Sequence, residues 1–195
     1  MKTSRARPHP RIGVLLAALV AVAAAGCGNE RAEPPNLSAL GKAGPMVAFS
    51  TAGGAVSFRH PRSWIAVPGE PPAIAQLTSG GAAATVYAYP RDDLGTDPAS
   101  VRAARERVLE SLRRRSPGFL VLDTLILEID GSPAVQVRGR GTIAGKPVEA
   151  RSVHVYKPGV EYVIDAYARP TQFATANRVA FGPLLASVRL AGEEP

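Results

Sequence analysis

The 195-residue sequence predicts an α+β fold, an antiparallel β-sheet with helices packed on its faces. Three observations predict it. Strand-like runs cluster before and after one well-marked amphipathic helix. A second helical stretch follows only near the C-terminus. Between the helices, three long strand-like runs are joined by Ala144-Gly145 and Pro158-Gly159, tight connections that suit antiparallel neighbours.

Residues 46–51 and 55–58 are short β-prone runs with Ala52-Gly53-Gly54 between them, the pattern of a hairpin. His60-Pro61-Arg62-Ser63-Trp64 leads away from the second run. Residues 68–72, with three prolines and Gly69, read as a loop. Residues 73–77 and 83–89 are the next strands, separated by Ser79-Gly80-Gly81, and their small side chains suit a crowded sheet beneath a helix.

Asp97 is placed to cap the first helix, and Pro98 suits its first position. Val101, Ala104, Val108, Leu109 and Leu112 recur at helical spacing, with Arg102, Glu106, Glu110, Arg113 and Arg114 on the other side. Arg113-Arg114-Arg115 closes the last turn, where positive charge complements the exposed carbonyls, and Ser116-Pro117-Gly118 stops the helix.

Residues 119–129 form a long strand. Phe119, Val121, Leu125, Leu127 and Ile129 are assigned to one face, interrupted by Asp123, while Leu120, Leu122 and Ile126 add apolar weight to the other. Apolar on both sides, this strand is expected in the interior of the sheet. Asp130-Gly131 is a strong turn signal, and residues 134–143, 146–157 and 160–168 then form a meander. A second helix is expected from residue 170 or 171 to residue 180, interrupted by Gly182-Pro183, with residues 184–188 a final short turn.

Ahead of this body lies a different kind of sequence. Lys2, Arg5, Arg7 and Arg11 precede fourteen residues, 12–25, without a charge. Cys27, the only cysteine, follows Ala24-Ala25-Gly26. A basic start, a short apolar run and a small-residue site make a secretory signal peptide, and the run is too short for a spanning helix, which needs about 20 residues. Ending in Ala-Ala-Gly-Cys, the segment resembles the lipobox of bacterial lipoproteins, although Ala24 stands where Leu or Val is usual. The resemblance implies cleavage before Cys27 and a diacylglyceryl group on its thiol. Attachment by two or more acyl chains is stable, because each buried methylene contributes about 0.8 kcal/mol.

Four parts follow from this reading. Residues 1–26 are the signal peptide, and 27–45 are the lipidated cysteine and a flexible tether rich in Pro, Gly and charge. Residues 46–190 are a single domain, and 191–195 a tail. The tether would span about 23 Å as a coil and at most about 60 Å extended. The net charge of +7 falls to about +3 without the leader, nineteen basic residues against sixteen acidic. That excess is no argument for nucleic acid, and no aromatic-interleaved basic stripe supports one.

The body resembles the fold shared by photosystem II PsbP proteins, Ran-binding Mog-type proteins and LpqN-type mycobacterial lipoproteins. Phe58, Pro61 and Trp64 match an early Phe-x-x-Pro-x-x-Trp element, and Asp130-Gly131-Ser132-Pro133-Ala134 matches a Gly-x-Pro-Ala turn before the meander. Tyr162-Val163-Ile164-Asp165-Ala166 matches the strand before the last helix, and Phe173, Phe181, Leu184, Leu185 and Ser187 match that helix. The resemblance implies architecture and an inclination toward binding. It transfers no metal site, cofactor or Ran-contact pattern.

Candidate chemistry is sparse. His60 and His154 are the histidines outside the leader, and a histidine beside an acid can act as a base. No Gly-x-Ser-x-Gly elbow or metal-ligand spacing accompanies them. Asp92, Asp93 and Asp97 lack the spacing of a calcium loop and suit a turn and helix start. Gly139 and Gly141 flank Arg140 in a strand, where glycine marks a bulge or a close backbone approach.

Two surfaces are candidates for a ligand or partner. One is aromatic: Trp64, Tyr87, Tyr89 and Tyr167, with Tyr156 and Tyr162 as further aromatics. The other is Arg113, Arg114 and Arg115, backed by Arg105 and Arg107. The expected function is a membrane-anchored, extracytoplasmic binding module with no catalytic residues and no cofactor. Its expected partners are the membrane through Cys27 and an envelope protein or lipid. The alternative is a carrier of lipids or small envelope ligands, and third is an envelope hydrolase.

Overall fold

The computed structural model describes residues 40, 43–92 and 94–191. Cys27 and its flanking Ala24, Ala25 and Gly26, the leader, most of the tether and Asp93 lie outside the described residues.

Alternating side chains and tight turns build two antiparallel sheets. The large one runs β3 (Ile65–Pro68), β4 (Ala73–Ser79), β5 (Ala82–Pro90), β9 (Val160–Ala168), β8 (Lys146–Lys157), β7 (Ser132–Ile143) and β6 (Leu120–Ile129), in that spatial order. The small one is β1 (Met46–Ser50), β2 (Val56–Pro61) and β10 (Arg189–Leu190), with β2 in the middle. The expected meander is β7–β8–β9. Asp130-Gly131 and Ala144-Gly145 both have positive φ at their two central positions, the twist that two-residue hairpins require.

Helix α1 (Pro98–Arg115) begins as its sequence dictates, with Pro98 at the start and Asp97 accepting from the Ala99 and Ser100 amides at 2.9 and 3.1 Å. These bonds, led by the one from the Ser100 hydroxyl, hold the Asp97 carboxyl below its ordinary pKa. Val101, Ala104 and Leu109 are buried against Val135, Val137 and Tyr156 of the sheet. The opposite face carries the main core, where Leu77, Val86, Val153, Val155 and Ile164 meet Phe173, Phe181 and Leu184 of the C-terminal helix. Phe58, Pro61 and Trp64, the residues of the early aromatic element, are all buried on this side.

Three expectations are corrected. First, the strand assigned to the interior is an edge. β6 ends the large sheet, and a bulge between Val121 and Asp123 breaks its alternation, so Val121 joins Ile126 on the α1 side instead of sharing a face with Leu125, Leu127 and Ile129. Two-sided apolarity marks a strand that is covered or one awaiting cover, and periodicity cannot separate the two. Second, β3 occupies residues just before the proline-rich loop. It is only four residues long and ends in Pro68, which an edge tolerates because no neighbour needs its N–H.

Third, Gly182-Pro183 does not interrupt the last helix. Helix α2 (Pro170–Ala176) passes through a π-helical segment, Asn177–Phe181, into α3 (Gly182–Ser187). The Gly182 N–H reaches the Asn177 carbonyl, so Pro183 falls in the opening turn of α3, where a missing N–H costs little. A Cβ on residue 182 would meet the Asn177 oxygen at 2.9 Å.

Candidate functional site

Strand alternation places Tyr87 and Tyr89 of β5 on the α1 side of the large sheet, together with Glu161, Val163, Asp165 and Tyr167 of β9. From β8 the same side receives Ser152, His154 and Tyr156. Helix α1 covers the β7 end of this face. The Tyr87 and Tyr89 rings stack, with centroids 6.0 Å apart and planes 15° from parallel. Burial raises the Tyr89 hydroxyl pKa and the Asp165 carboxylate raises it further, while Arg115 and Arg91 act in the opposite sense. Arg115 is therefore within electrostatic reach of Tyr89.

A polar seam crosses the strands beside them. The Ser152 hydroxyl donates to Asp165 at 2.5 Å. His154 Nδ1–H donates to Glu161 Oε1 at 2.7 Å, and its Nε2 lies 3.3 Å from Ser152 Oγ. Arg91 Nε donates to the other Glu161 oxygen at 3.2 Å. Burial works to raise the Glu161 carboxyl pKa, but His154 and Arg91 together bring it below the ordinary value. Ser, His and Glu thus meet, yet the serine proton points at Asp165 rather than at the imidazole. The amides of these mid-strand residues lie between two paired neighbours, β7 and β9, and none is aimed where an oxyanion would form. The seam is a clasp between β8 and β9. No sequence signal marked Ser152, Glu161 and Asp165 as its members, because their spacing is simply that of two facing strands.

The other sequence candidates disperse. Trp64 is not on a surface: it is 2% exposed beneath the C-terminal helix, edge-on to Phe181 with centroids 5.6 Å apart. Apolar bulk drew it into the core, on the opposite side of the sheet from the tyrosines. His60 is buried, with Nδ1–H donating to the Pro61 carbonyl at 2.9 Å. Arg113 and Arg114 are exposed, and Arg114 pairs with Glu110 one turn earlier. Gly139 and Gly141 do mark a close approach. A Cβ on Gly139 would lie 2.3 Å from the Phe119 ring and 2.4 Å from the Leu120 carbonyl oxygen, and one on Gly141 would lie 2.9 Å from the same ring.

Two further features bear on binding. A recess of about 250 Å³ lies between α1 and the sheet, lined by Pro98, Val101, Ile126 and Pro133. It is smaller than the roughly 300–1,000 Å³ of ligand pockets. More prominent is where large apolar side chains meet solvent. Among the described residues they lie on the two edge strands: Ile65 and Val67 on β3, and Leu120, Leu122, Leu125 and Ile126 on β6, at 62, 39, 53 and 46% exposure.

No protein-family model matches the sequence, and no curated protein matches it by sequence. Solved structures do match in shape. Cyanobacterial PsbP (CyanoP) of Synechocystis sp. PCC 6803 aligns with a TM-score of 0.54 at 15% identity, over 80% of this chain and 99% of that one. LpqN of Mycobacterium tuberculosis, described as involved in cell envelope biogenesis, aligns at 0.52 and 17%, over 75% of this chain and 86% of that one. The Saccharomyces cerevisiae Ran-binding protein Mog1p aligns at 0.52 and 10%, over 76% and 96% respectively. At such identities the shared property is architecture: this chain has the α+β fold of PsbP, LpqN and Mog1p.

Proposed function

We propose that the chain is an extracytoplasmic lipoprotein, held outward-facing on the cell membrane by acylated Cys27, and that its folded body is a non-catalytic module that binds a protein partner at the envelope. The observation that carries the binding half is the β6 edge, a strand with a neighbour on one side only and with four exposed apolar side chains. Exposed sheet edges are templates for strand addition, in which main-chain hydrogen bonds give affinity and side-chain fit gives specificity. The Ser152–His154–Glu161 seam supports the non-catalytic half, because its hydrogen bonds lead away from a nucleophile. Its architecture is that of a protein described as acting in envelope biogenesis, which is compatible with this reading.

Mass spectrometry of the protein isolated from membranes tests the anchor. Acyl chains on Cys27 are expected at a new N-terminus, and Cys27→Ala should release the protein. A bare cysteine, or unchanged retention of that variant, overturns the anchoring. Affinity capture of the full chain from solubilised envelopes tests the binding, with Leu125→Lys expected to lose the captured protein and Val67→Lys to keep it.

A further inference from the structure

The exposed β6 edge has a self-complementary stretch, and we infer that its partner is a second copy of this chain, joined by antiparallel pairing of β6 with β6 about a two-fold axis through Ile126. This names the partner within the binding reading proposed above and rests on it.

The bulge between Val121 and Asp123 ends the regular part of β6 on one side, and the Asp130-Gly131 turn ends it on the other. The regular segment is residues 123–129, and its midpoint is Ile126. Two copies can continue one sheet only if directly opposite residues share a face. An axis at Ile126 meets that condition. Ile126 then faces itself on the α1 side, and Leu125 faces Leu127 of the second copy on the other side. Thr124 lies opposite Glu128. The same pairing therefore covers Leu125 and Ile126, both exposed in the single copy.

Charge agrees with this register. β6 holds neither lysine, arginine nor proline, the residues that usually protect an edge, and its charges are Asp123 and Glu128. Pairing about Ile126 separates the two Glu128 residues by four positions, about 13 Å, which is beyond the screening length of about 8–10 Å. The interface is small. Seven residues of ladder extend about 24 Å, and one ladder with its flanking side chains falls below the roughly 1,200 Å² of stable complexes. Association is accordingly weak in dilute solution. It strengthens when lipid anchors confine both copies to one membrane, where the effective concentration rises without any new contact.

Cysteine cross-linking in membranes of cells making the full-length chain tests this. Opposite residues in an antiparallel pair have Cα atoms about 4.5 or 5.5 Å apart, within the range a disulfide spans. Mild oxidation of Ile126→Cys should give a species of twice the chain mass, at least tenfold more than Ile65→Cys on the other edge. Adding Leu125→Lys to Ile126→Cys should abolish it. Both substitutions are at exposed positions, and thermal melting of each variant confirms that folding is retained. Absence of the double-mass species, equal linking from residue 65, or an adduct between residue 126 and a different protein overturns self-pairing. The last outcome leaves the binding-module reading standing, whereas loss of membrane retention bears on Cys27 alone.

Discussion

The two ends of the large sheet face the same physical problem and handle it differently. Each presents a row of unpaired backbone groups and exposed apolar side chains. β3 is four residues long and ends in Pro68, and the Gly69–Pro72 segment turns the chain away at once. That is how natural proteins blunt an edge. β6 is ten residues long, continuous with the core at Ile129, and carries neither proline nor lysine. Exposed Ile65 and Val67 are therefore residues on a closed end, while Leu120, Leu122, Leu125 and Ile126 line an end that can still be extended. Exposure alone does not identify an interaction surface. Length and backbone availability decide.

The largest expected effect comes from unseating β6. Gly139→Ala forces a methyl group into the Phe119 ring and the Leu120 carbonyl, so β6 must shift. Overpacking of this kind costs about 1–3 kcal/mol, and chemical denaturation should show a loss in that range. Gly69→Ala is the counterpart at β3. Its Cβ would lie 2.3 Å from the Ala73 carbonyl oxygen, but a short end strand can yield. Its loss should fall near the lower end, about 1 kcal/mol, with hydrogen exchange raised in β3 and unchanged in β6. A global loss from Gly69→Ala matching that of Gly139→Ala would remove the contrast between the two ends.

The third effect depends on pH. Asp130, at the turn that ends β6, accepts the Leu190 N–H at 2.9 Å and the Lys157 ammonium at 3.2 Å. Burial acts to raise its carboxyl pKa, but these donors bring it below the ordinary value. A carboxylate with a depressed folded-state pKa stabilises above its unfolded pKa, near 3.9, and loses that contribution as pH falls through the folded value. Asp130→Asn should therefore be less stable than the parent at pH 7, with the difference shrinking below about pH 4 in a series of thermal melts. A constant difference across that window would mean that the carboxylate charge does not secure this end of β6.

The smallest effects on stability are expected at the exposed side chains themselves. Leu125→Lys and Val67→Lys should each change stability by no more than about 0.5 kcal/mol. They differ in association. Leu125→Lys should remove cross-linking through residue 126, while Val67→Lys leaves it intact.

Much of the fold was legible because its signals are local. Asp97-Pro98 starts α1, Asp130-Gly131 and Ala144-Gly145 make the hairpins, and the meander strands lie where alternation puts them. The last helix was half legible. Gly182-Pro183 reads as a stop, and the π-helical segment that carries the chain through it depends on register and packing. The site was less legible still. Tyr87, Tyr89 and Tyr167 were singled out and do share a face, but Trp64 belongs to the opposite core. The acids of the seam lie on a neighbouring strand: Glu161 is seven residues beyond His154, and Asp165 thirteen beyond Ser152.

By itself the sequence determined the elements and the class, since caps, turns and periodicities act over a few residues and carry their own geometry. Only the tertiary structure decided which strand stands at the end of the sheet. Strand order follows from long-range pairing, and a run apolar on both sides is equally compatible with an interior and an uncovered edge. The difference between a core strand and an edge strand is whether a neighbour stands on both sides of it, and no local pattern within β6 records that.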